Sequence, residues 1–213
     1  MITKNLKFSK KTVILIICVI CLAFTNSFGQ NQRLKPARNF KESVSKNYRG
    51  VFPLLYKGFA KKPYARYTAM PSFSREYAFS VEKIKGVPYI ISNTLSTNYY
   101  FAKVKIFVKI KKNKAKISDD LYLKIGELFE IFTEQTEDKD FSGLDGVTYY
   151  FAKTGKNGEI KTGETWSPDE NSLLDRLVNI CIDLYLIGNN KDIAQTDILK
   201  EIDIFINDLK ELK

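Results

Sequence analysis

Residues 145–188 read DGVTYYFAKTGKNGEIKTGETWSPDENSLLDRLVNICIDLYLIG, and this stretch decides the fold. After Asp145-Gly146, the aromatic run Val147–Lys153 has the composition of a β-strand. The glycines of Gly155-Lys156-Asn157-Gly158 predict a tight turn, and Glu159–Trp166 returns as a second strand. The stretch therefore predicts an antiparallel hairpin that leads directly into a helix.

The helix after this hairpin carries the clearest local signal. Ser167 is expected to be its N-cap, with Pro168 at the first helical position and Glu170 completing a capping box. Leucines and other apolar residues follow at helical spacing, and Gly188 is expected to end the helix as its C′ residue. After a short loop, a final antiparallel helix is predicted to begin near Thr196.

Upstream, alternating apolar and polar residues predict three more strands. Tyr77–Glu82 is followed by a tight turn at Lys85-Gly86, and Pro88 opens the return strand. The third strand is predicted over Tyr99–Ile110. Its apolar side would hold Val104, Ile106, Val108 and Ile110, and its other side Lys103, Lys105, Lys109 and Lys111.

A pentapeptide, Tyr-Tyr-Phe-Ala-Lys, occurs at both 99–103 and 149–153. The residues flanking the two copies do not agree, so convergent strand composition explains them better than duplication. Both copies are predicted to be strands of one sheet.

Between the upstream strands and the hairpin, Ser118 is expected to cap a helix that runs to Glu134. Asp119 and Asp120 stand in its first turn, where the helix dipole favours acidic residues. Short hairpins with helices interspersed are typical of the α+β class. We therefore predict an antiparallel sheet of hairpins with about three helices packed on one face.

The first 29 residues have the layout of a secretory signal peptide. Lysines without acids precede the apolar run Thr12–Phe24, which is shorter than the roughly 20 residues a spanning helix needs. Small residues Ser27 and Gly29 predict cleavage between Gly29 and Gln30. We therefore expect a periplasmic or secreted protein with no membrane span after cleavage.

Three regions are predicted along the chain. Residues 1–29 are the signal peptide, 30–70 an irregular N-terminal segment with a short helix around 38–46, and 71–213 a single α+β domain.

The composition removes several chemistries. The chain has no histidine, which excludes Ser-His-Asp and Cys-His catalysis and histidine-ligated zinc. Cys181 lies in an apolar helical run, which indicates a small buried core residue. The acidic run from Glu134 to Asp145 fits no EF-hand spacing, so a solvated loop is preferred over a calcium site. No catalytic, metal-ligating or cofactor-binding residue is expected, and no cofactor.

Charge is divided unevenly. Residues 30–117 carry 20 Lys and Arg against three acids, whereas 118–213 carry 10 against 21. The two halves are expected to pack together and partly neutralise each other. Because an exported protein rarely meets nucleic acid, an unknown protein or envelope ligand is the expected partner. The hypothesised surface comprises Lys103, Lys105, Lys109, Tyr100, Tyr149 and Trp166.

The segment from Asp145-Gly146 through Tyr149 and Trp166-Ser167-Pro168 to the helix near Leu173 resembles a module of uncharacterised small exported proteins of Bacteroidota type. The leader ending in Ser-Phe-Gly-Gln is similar to leaders of the same group. The resemblance covers about a quarter of the chain. It implies a local fold and carries over no catalytic residue or function.

These observations favour an exported, non-enzymatic binding protein of the cell envelope. An immunity or inhibitor protein that presents its lysine face to a partner is one specific form. One alternative is a small envelope hydrolase that uses carboxylates alone. The other is an envelope-associated structural protein whose basic half lies on anionic lipid or glycan.

Overall fold

The computed structural model describes residues 33–37, 50–138 and 145–211. The predicted leader and its cleavage site, the short helix around 38–46 and Asp140 of the acidic run lie outside these ranges. The strands are β1 Lys35–Pro36, β2 Ala65–Pro71, β3 Tyr77–Ile84, β4 Val87–Leu95, β5 Ile110–Lys116, β6 Val147–Thr154 and β7 Ile160–Trp166. The helices are α1 Val51–Leu55, α2 Asp119–Glu134, α3 Leu173–Gly188 and α4 Gln195–Glu211.

The strands of the described ranges form one antiparallel sheet in the order β1-β7-β6-β2-β3-β4-β5. Helices α2 and α3 pack on one face of this sheet, and α4 packs on α2 and α3. The predicted α+β class, with hairpins and three helices on one face, is confirmed.

Strand β2 corrects the predicted boundary of the irregular segment. The sequence places residues up to 70 in that segment, but 65–71 pair with both β3 and β6 in the middle of the sheet. The strand lacks apolar alternation because Arg66 and Thr68 are buried on its second face. There the Arg66 guanidinium lies 4.4 Å from the ring centroid of Tyr56, whose hydroxyl is 2.8 Å from Thr68 Oγ1.

The strand predicted over Tyr99–Ile110 is wrong. Residues 96–109 form a loop with a 3₁₀ turn at Lys105–Phe107, and strand β5 begins only at Ile110. Alternation with lysines gave these residues a strand pattern, yet Val108 is buried whereas Ile106 is exposed. The backbone here is bonded by turns within the loop and by nearby side chains, and the loop is not part of a strand ladder.

Helix α2 has the predicted bounds because its signals are local. Ser118 is its N-cap, and its Oγ accepts the N–H of Leu121 at 3.1 Å. The apolar stripe of the helix, which includes Leu121, Ile125 and Phe129, is buried in the main core.

Replacing Ser118 with alanine is expected to lower the free energy of unfolding by about 1 kcal/mol, because the N–H of Leu121 loses its acceptor. Urea denaturation measures the change. Ser118→Asn, which keeps an acceptor oxygen, should recover most of the loss. Equal stability of the alanine and asparagine variants would contradict this role for Ser118.

Helix α3 begins later than predicted. Its N-cap is Ser172, whose Oγ accepts the N–H of Asp175 at 3.1 Å, and not Ser167. Asn171 has a φ of 63°, which keeps the preceding turn from continuing into the helix. The Oγ of Ser167 instead accepts the N–H of Val147 at 3.0 Å, at the end of the β6–β7 hairpin.

The end of α3 also differs. Gly188 is the last helical residue, and Asn190, at a φ of 59°, takes the C′ position. The N–H of Asn190 donates to the Ile187 carbonyl and that of Lys191 to the Leu186 carbonyl, as in a Schellman motif. Asparagine replaces the expected glycine because its side chain tolerates this left-handed conformation.

The central strands of the sheet are buried on both faces. Against the helices, Tyr67, Phe79 and Phe151 form the centre of the main core. On the opposite face, α1 and the 96–109 loop enclose a smaller cluster of Val51, Leu55, Ala78, Leu95 and Val108. Val108 therefore anchors the loop to this smaller cluster.

Candidate functional site

The candidate site is the connection between β4 and β5, residues 96–109, which we call the apical loop. It stands at the end of the sheet where the turn between β2 and β3 also lies. The ring of Phe73, in that turn, stacks on Phe101 of the loop with centroids 6.3 Å apart. Phe101 also meets Tyr100 edge-to-face at 5.1 Å.

The apical loop exposes a cluster of apolar side chains. Ile106 is 84 % exposed and Phe107 70 %, and the neighbouring Phe73 is 71 % exposed. Tyr100, Phe101 and Val104 are also exposed. Single exposed apolar residues are ordinary, but six of them on one loop and the adjoining turn are typical of an interaction surface.

Glu76 fixes the start of the apical loop. It is 1 % exposed, and its two carboxylate oxygens accept the N–H of Tyr99 at 3.0 and 2.9 Å. Burial is the larger influence and raises the pKa of Glu76, whereas the hydrogen bond from Tyr99 lowers it. Lys105 donates to the carbonyls of Tyr99 and Tyr100. Its side chain thus supplies hydrogen bonds that a neighbouring strand would otherwise provide.

Two further residues hold the loop. The Asn98 amide donates to the Ser74 carbonyl at 2.6 Å, and its oxygen accepts the N–H of Phe101 at 3.2 Å. At the base, Ser96 and Lys109 exchange hydrogen bonds of 2.8 and 3.0 Å. The apolar side chains are thus presented by a loop that is tied at its base and along its length.

Lysines flank the apolar side chains. Lys103 and Lys109 are exposed and form no ion pair within the described ranges, whereas Lys105 is used inside the loop. Between Glu82 and Asp119 the sequence carries nine lysines and no acidic residue. Lys83 pairs with Asp119 at 3.1 Å, at the opposite end of β3 from the apical loop. Exposed apolar side chains framed by cations are typical of surfaces that bind anionic lipid.

The structure divides the six residues that the sequence grouped as one surface. Tyr100, Lys103, Lys105 and Lys109 lie in the apical loop. Tyr149 lies on β6, with its ring stacked on Tyr67 at 5.8 Å, and Trp166 ends β7 against Gly146. Strands β2 and β3 separate these two from the β4–β5 connection, so the site reduces to the loop and Phe73.

Sequence reasoning missed Phe101, Ile106 and Phe107 as surface residues because it assigned the loop to a half-buried strand. Phe73 was missed because it precedes the first predicted strand and follows no periodic pattern. The available signal was Phe107, which stands among the lysines and breaks the alternation. In the structure this residue belongs to the 3₁₀ turn at the exposed end of the loop.

A small cleft beside α2 gathers two glutamates. Its volume is about 110 Å³, well below the roughly 300 Å³ at which ligand pockets begin. Lys153 Nζ lies 3.7 Å from Glu130, and Lys161 Nζ lies 2.8 Å from Glu134. The hydrogen bond from Lys161 lowers the pKa of Glu134, so this carboxyl is held ionised. The general acid of a carboxylate hydrolase has a raised pKa, and the pKa of Glu134 is shifted in the opposite direction.

Cys181 lies fully buried in α3, where burial raises the pKa of its thiol well above the ordinary value. It therefore stays a thiol at neutral pH and is part of the core. Within 33–37, 50–138 and 145–211, no three acidic or cysteine side chains come together as a metal site.

No protein-family model, no curated protein and no solved structure matches the chain. Within the parts of the chain that the structure describes, no helix has both the length and the apolar character needed to cross a membrane.

Proposed function

We propose that this chain is an exported, non-enzymatic binding protein of the cell envelope, and that it docks on an anionic membrane surface through the apical loop and Phe73. The observation that carries the proposal is the group of exposed apolar side chains on a tied loop whose exposed charges, Lys103 and Lys109, are both cationic. It develops the lipid-associated alternative raised by the sequence.

Insertion of the apolar side chains supplies the binding energy. Complete burial of a Phe or Ile side chain is worth about 1.5–3 kcal/mol. If Phe101, Ile106 and Phe107 each recover only about 1 kcal/mol, together they change the membrane affinity about a hundredfold.

Cations supply the preference for anionic lipid. Each lysine near such a surface contributes about 1 kcal/mol, within a screening length of about 8 Å at physiological salt. Lys103 and Lys109 are exposed beside the apolar side chains. Binding should therefore weaken as salt is raised.

The loop conformation favours a membrane over the immunity-like partner surface. That hypothesis relied on a flat strand face that presents Lys103, Lys105 and Lys109 together. The segment is a projecting loop, and Lys105 is turned inward to the carbonyls of Tyr99 and Tyr100. A bilayer accepts projecting apolar side chains without needing a cavity of matching shape.

The test is vesicle flotation of the protein purified after export. Wild type is expected to float with vesicles of phosphatidylcholine and phosphatidylglycerol, and less with phosphatidylcholine alone. The triple variant Phe101→Ser, Ile106→Ser, Phe107→Ser should lose affinity about a hundredfold, because its insertion energy is gone.

The matched control replaces three exposed apolar residues elsewhere, Leu123→Ser, Ile160→Ser and Ile204→Ser. It should float like wild type. Equal flotation of the loop variant and wild type, or no flotation of wild type at low salt, would overturn the membrane proposal.

A further inference from the structure

A second feature of this end of the molecule is a groove between the β4–β5 edge of the sheet and the end of α3. Its volume is about 590 Å³, within the range of small-ligand sites. It is lined by Arg75, Thr94, Leu95, Ser96, Lys111, Tyr185, Leu186, Asn189, Asn190 and Lys191. We call it the cationic groove.

The groove holds unneutralised positive charge. Arg75, Lys111 and Lys191 line it together with hydroxyl and amide side chains, and its lining contains no acidic residue. None of the three forms an ion pair within the described residues, although many lysines elsewhere do. The end of α3 adds only about half a negative charge, which three cations exceed.

The walls of the groove are fixed by hydrogen bonds. Thr94 Oγ1 lies 2.6 Å from the Tyr185 hydroxyl, and the Asn113 amide donates to Asn189 Oδ1 at 2.6 Å. The Schellman motif satisfies carbonyls at the end of α3 and fixes the backbone of Lys191, which lines the groove. A site with fixed walls loses little conformational freedom when a ligand binds.

We propose that the cationic groove binds a phosphate group. The planar guanidinium of Arg75 suits two phosphate oxygens, and Lys111 and Lys191 supply point charges for the remainder. The hydroxyl of Ser96 offers a further donor. The volume leaves room for the organic group that carries the phosphate.

The position of the groove links it to the apical loop. Ser96 both lines the groove and closes the base of the loop through Lys109. The phosphate has two sources, a lipid headgroup at a docked membrane or a soluble phosphate ester. The lipid source rests on the proposed membrane docking, whereas the site itself does not.

Titration calorimetry with sn-glycerol 3-phosphate tests the site. Wild type should bind it saturably, and glycerol should not bind. The double variant Lys111→Gln, Lys191→Gln should weaken binding at least about tenfold, because each lost charged contact is worth about that factor.

The control Lys112→Gln, Lys200→Gln removes the same net charge outside the groove and should change affinity less than about twofold. Lys112 neighbours Lys111 on β5 but reaches the Gly58 carbonyl on the other face of the sheet. No saturable binding by wild type, or equal losses in both double variants, would overturn the phosphate site.

A competition experiment distinguishes a lipid headgroup from a soluble phosphate ester as the source of the phosphate. If the ligand is a headgroup, vesicles that contain phosphatidylglycerol should displace glycerol 3-phosphate, and if it is a soluble ester they should not. The loop variant Phe101→Ser, Ile106→Ser, Phe107→Ser should retain glycerol 3-phosphate binding. Failure of membrane docking would thus show separately from failure of the phosphate site.

Discussion

Replacing Phe79 with alanine is expected to lower the free energy of unfolding by about 3–5 kcal/mol. Phe79 on β3 is fully buried, with its ring centroid 5.5 Å from Tyr67 and 6.3 Å from Phe129 of α2. The substitution leaves a cavity between the sheet and the helices, and the surrounding aromatic rings cannot move enough to fill it. In a chain of this size each kcal/mol shifts the melting temperature by about 2–4 °C, so it should fall by roughly 6–20 °C.

The same substitution at Phe73 is the matched control. Phe73 is 71 % exposed, so Phe73→Ala should change the free energy of unfolding by less than about 0.5 kcal/mol while it weakens vesicle flotation. If Phe79→Ala fails to fold, Phe79→Leu should cost about 1 kcal/mol and remain measurable by urea denaturation. A loss at Phe73 as large as that at Phe79 would contradict the division between core and binding surface.

The two copies of Tyr-Tyr-Phe-Ala-Lys mark where sequence reasoning stops. The copy at 149–153 lies between β2 and β7 and is a strand, as predicted. The copy at 99–103 lies in the apical loop. Five identical residues cannot decide between strand and loop. The copy at 99–103 is held in its loop by Glu76 and Lys105, which lie outside the pentapeptide. Helix α2, whose cap and apolar stripe are local, was predictable in full.

The candidate site was predictable in part for a similar reason. Alternation singled out Lys103, Lys105 and Lys109 as one face of a strand. Lys103 and Lys109 are exposed in the loop, whereas Lys105 bonds inside it. Periodicity assigned the apolar residues of 104–110 to a buried face. Alternation alone does not distinguish a buried face from an exposed apolar surface. Strand β2 was missed because Arg66 reads as a surface residue in the sequence. In the structure its guanidinium is buried against the rings of Tyr56 and Phe59.

Replacing Glu76 with alanine is expected to reduce both stability and membrane binding. The N–H of Tyr99 would lose its acceptor, and a hydrogen bond to a charged group is worth about 1.5–3 kcal/mol. Because that bond fixes the start of the apical loop, the apolar side chains would no longer be held in place. Urea denaturation measures the first effect, and vesicle flotation, expected to weaken about tenfold, measures the second.

Glu76→Gln separates the hydrogen bond from the charge. The amide keeps an acceptor for Tyr99 but does not titrate, so the glutamine variant should bind vesicles better than the alanine variant. If both variants bind vesicles as wild type does, Glu76 stabilises the fold without positioning the loop.

The charge of Glu76 should also appear in the pH dependence of stability. Burial raises its pKa, so the folded state favours the protonated acid. This contribution to stability is complete below the ordinary value of 4.5 and is lost as pH rises through the raised value. The free energy of unfolding of wild type minus that of Glu76→Gln should therefore be largest near about pH 4 and decline towards pH 7. Titrations common to both proteins cancel in this difference, so a difference that grows with pH would show that hydrogen bonds, and not burial, dominate at Glu76.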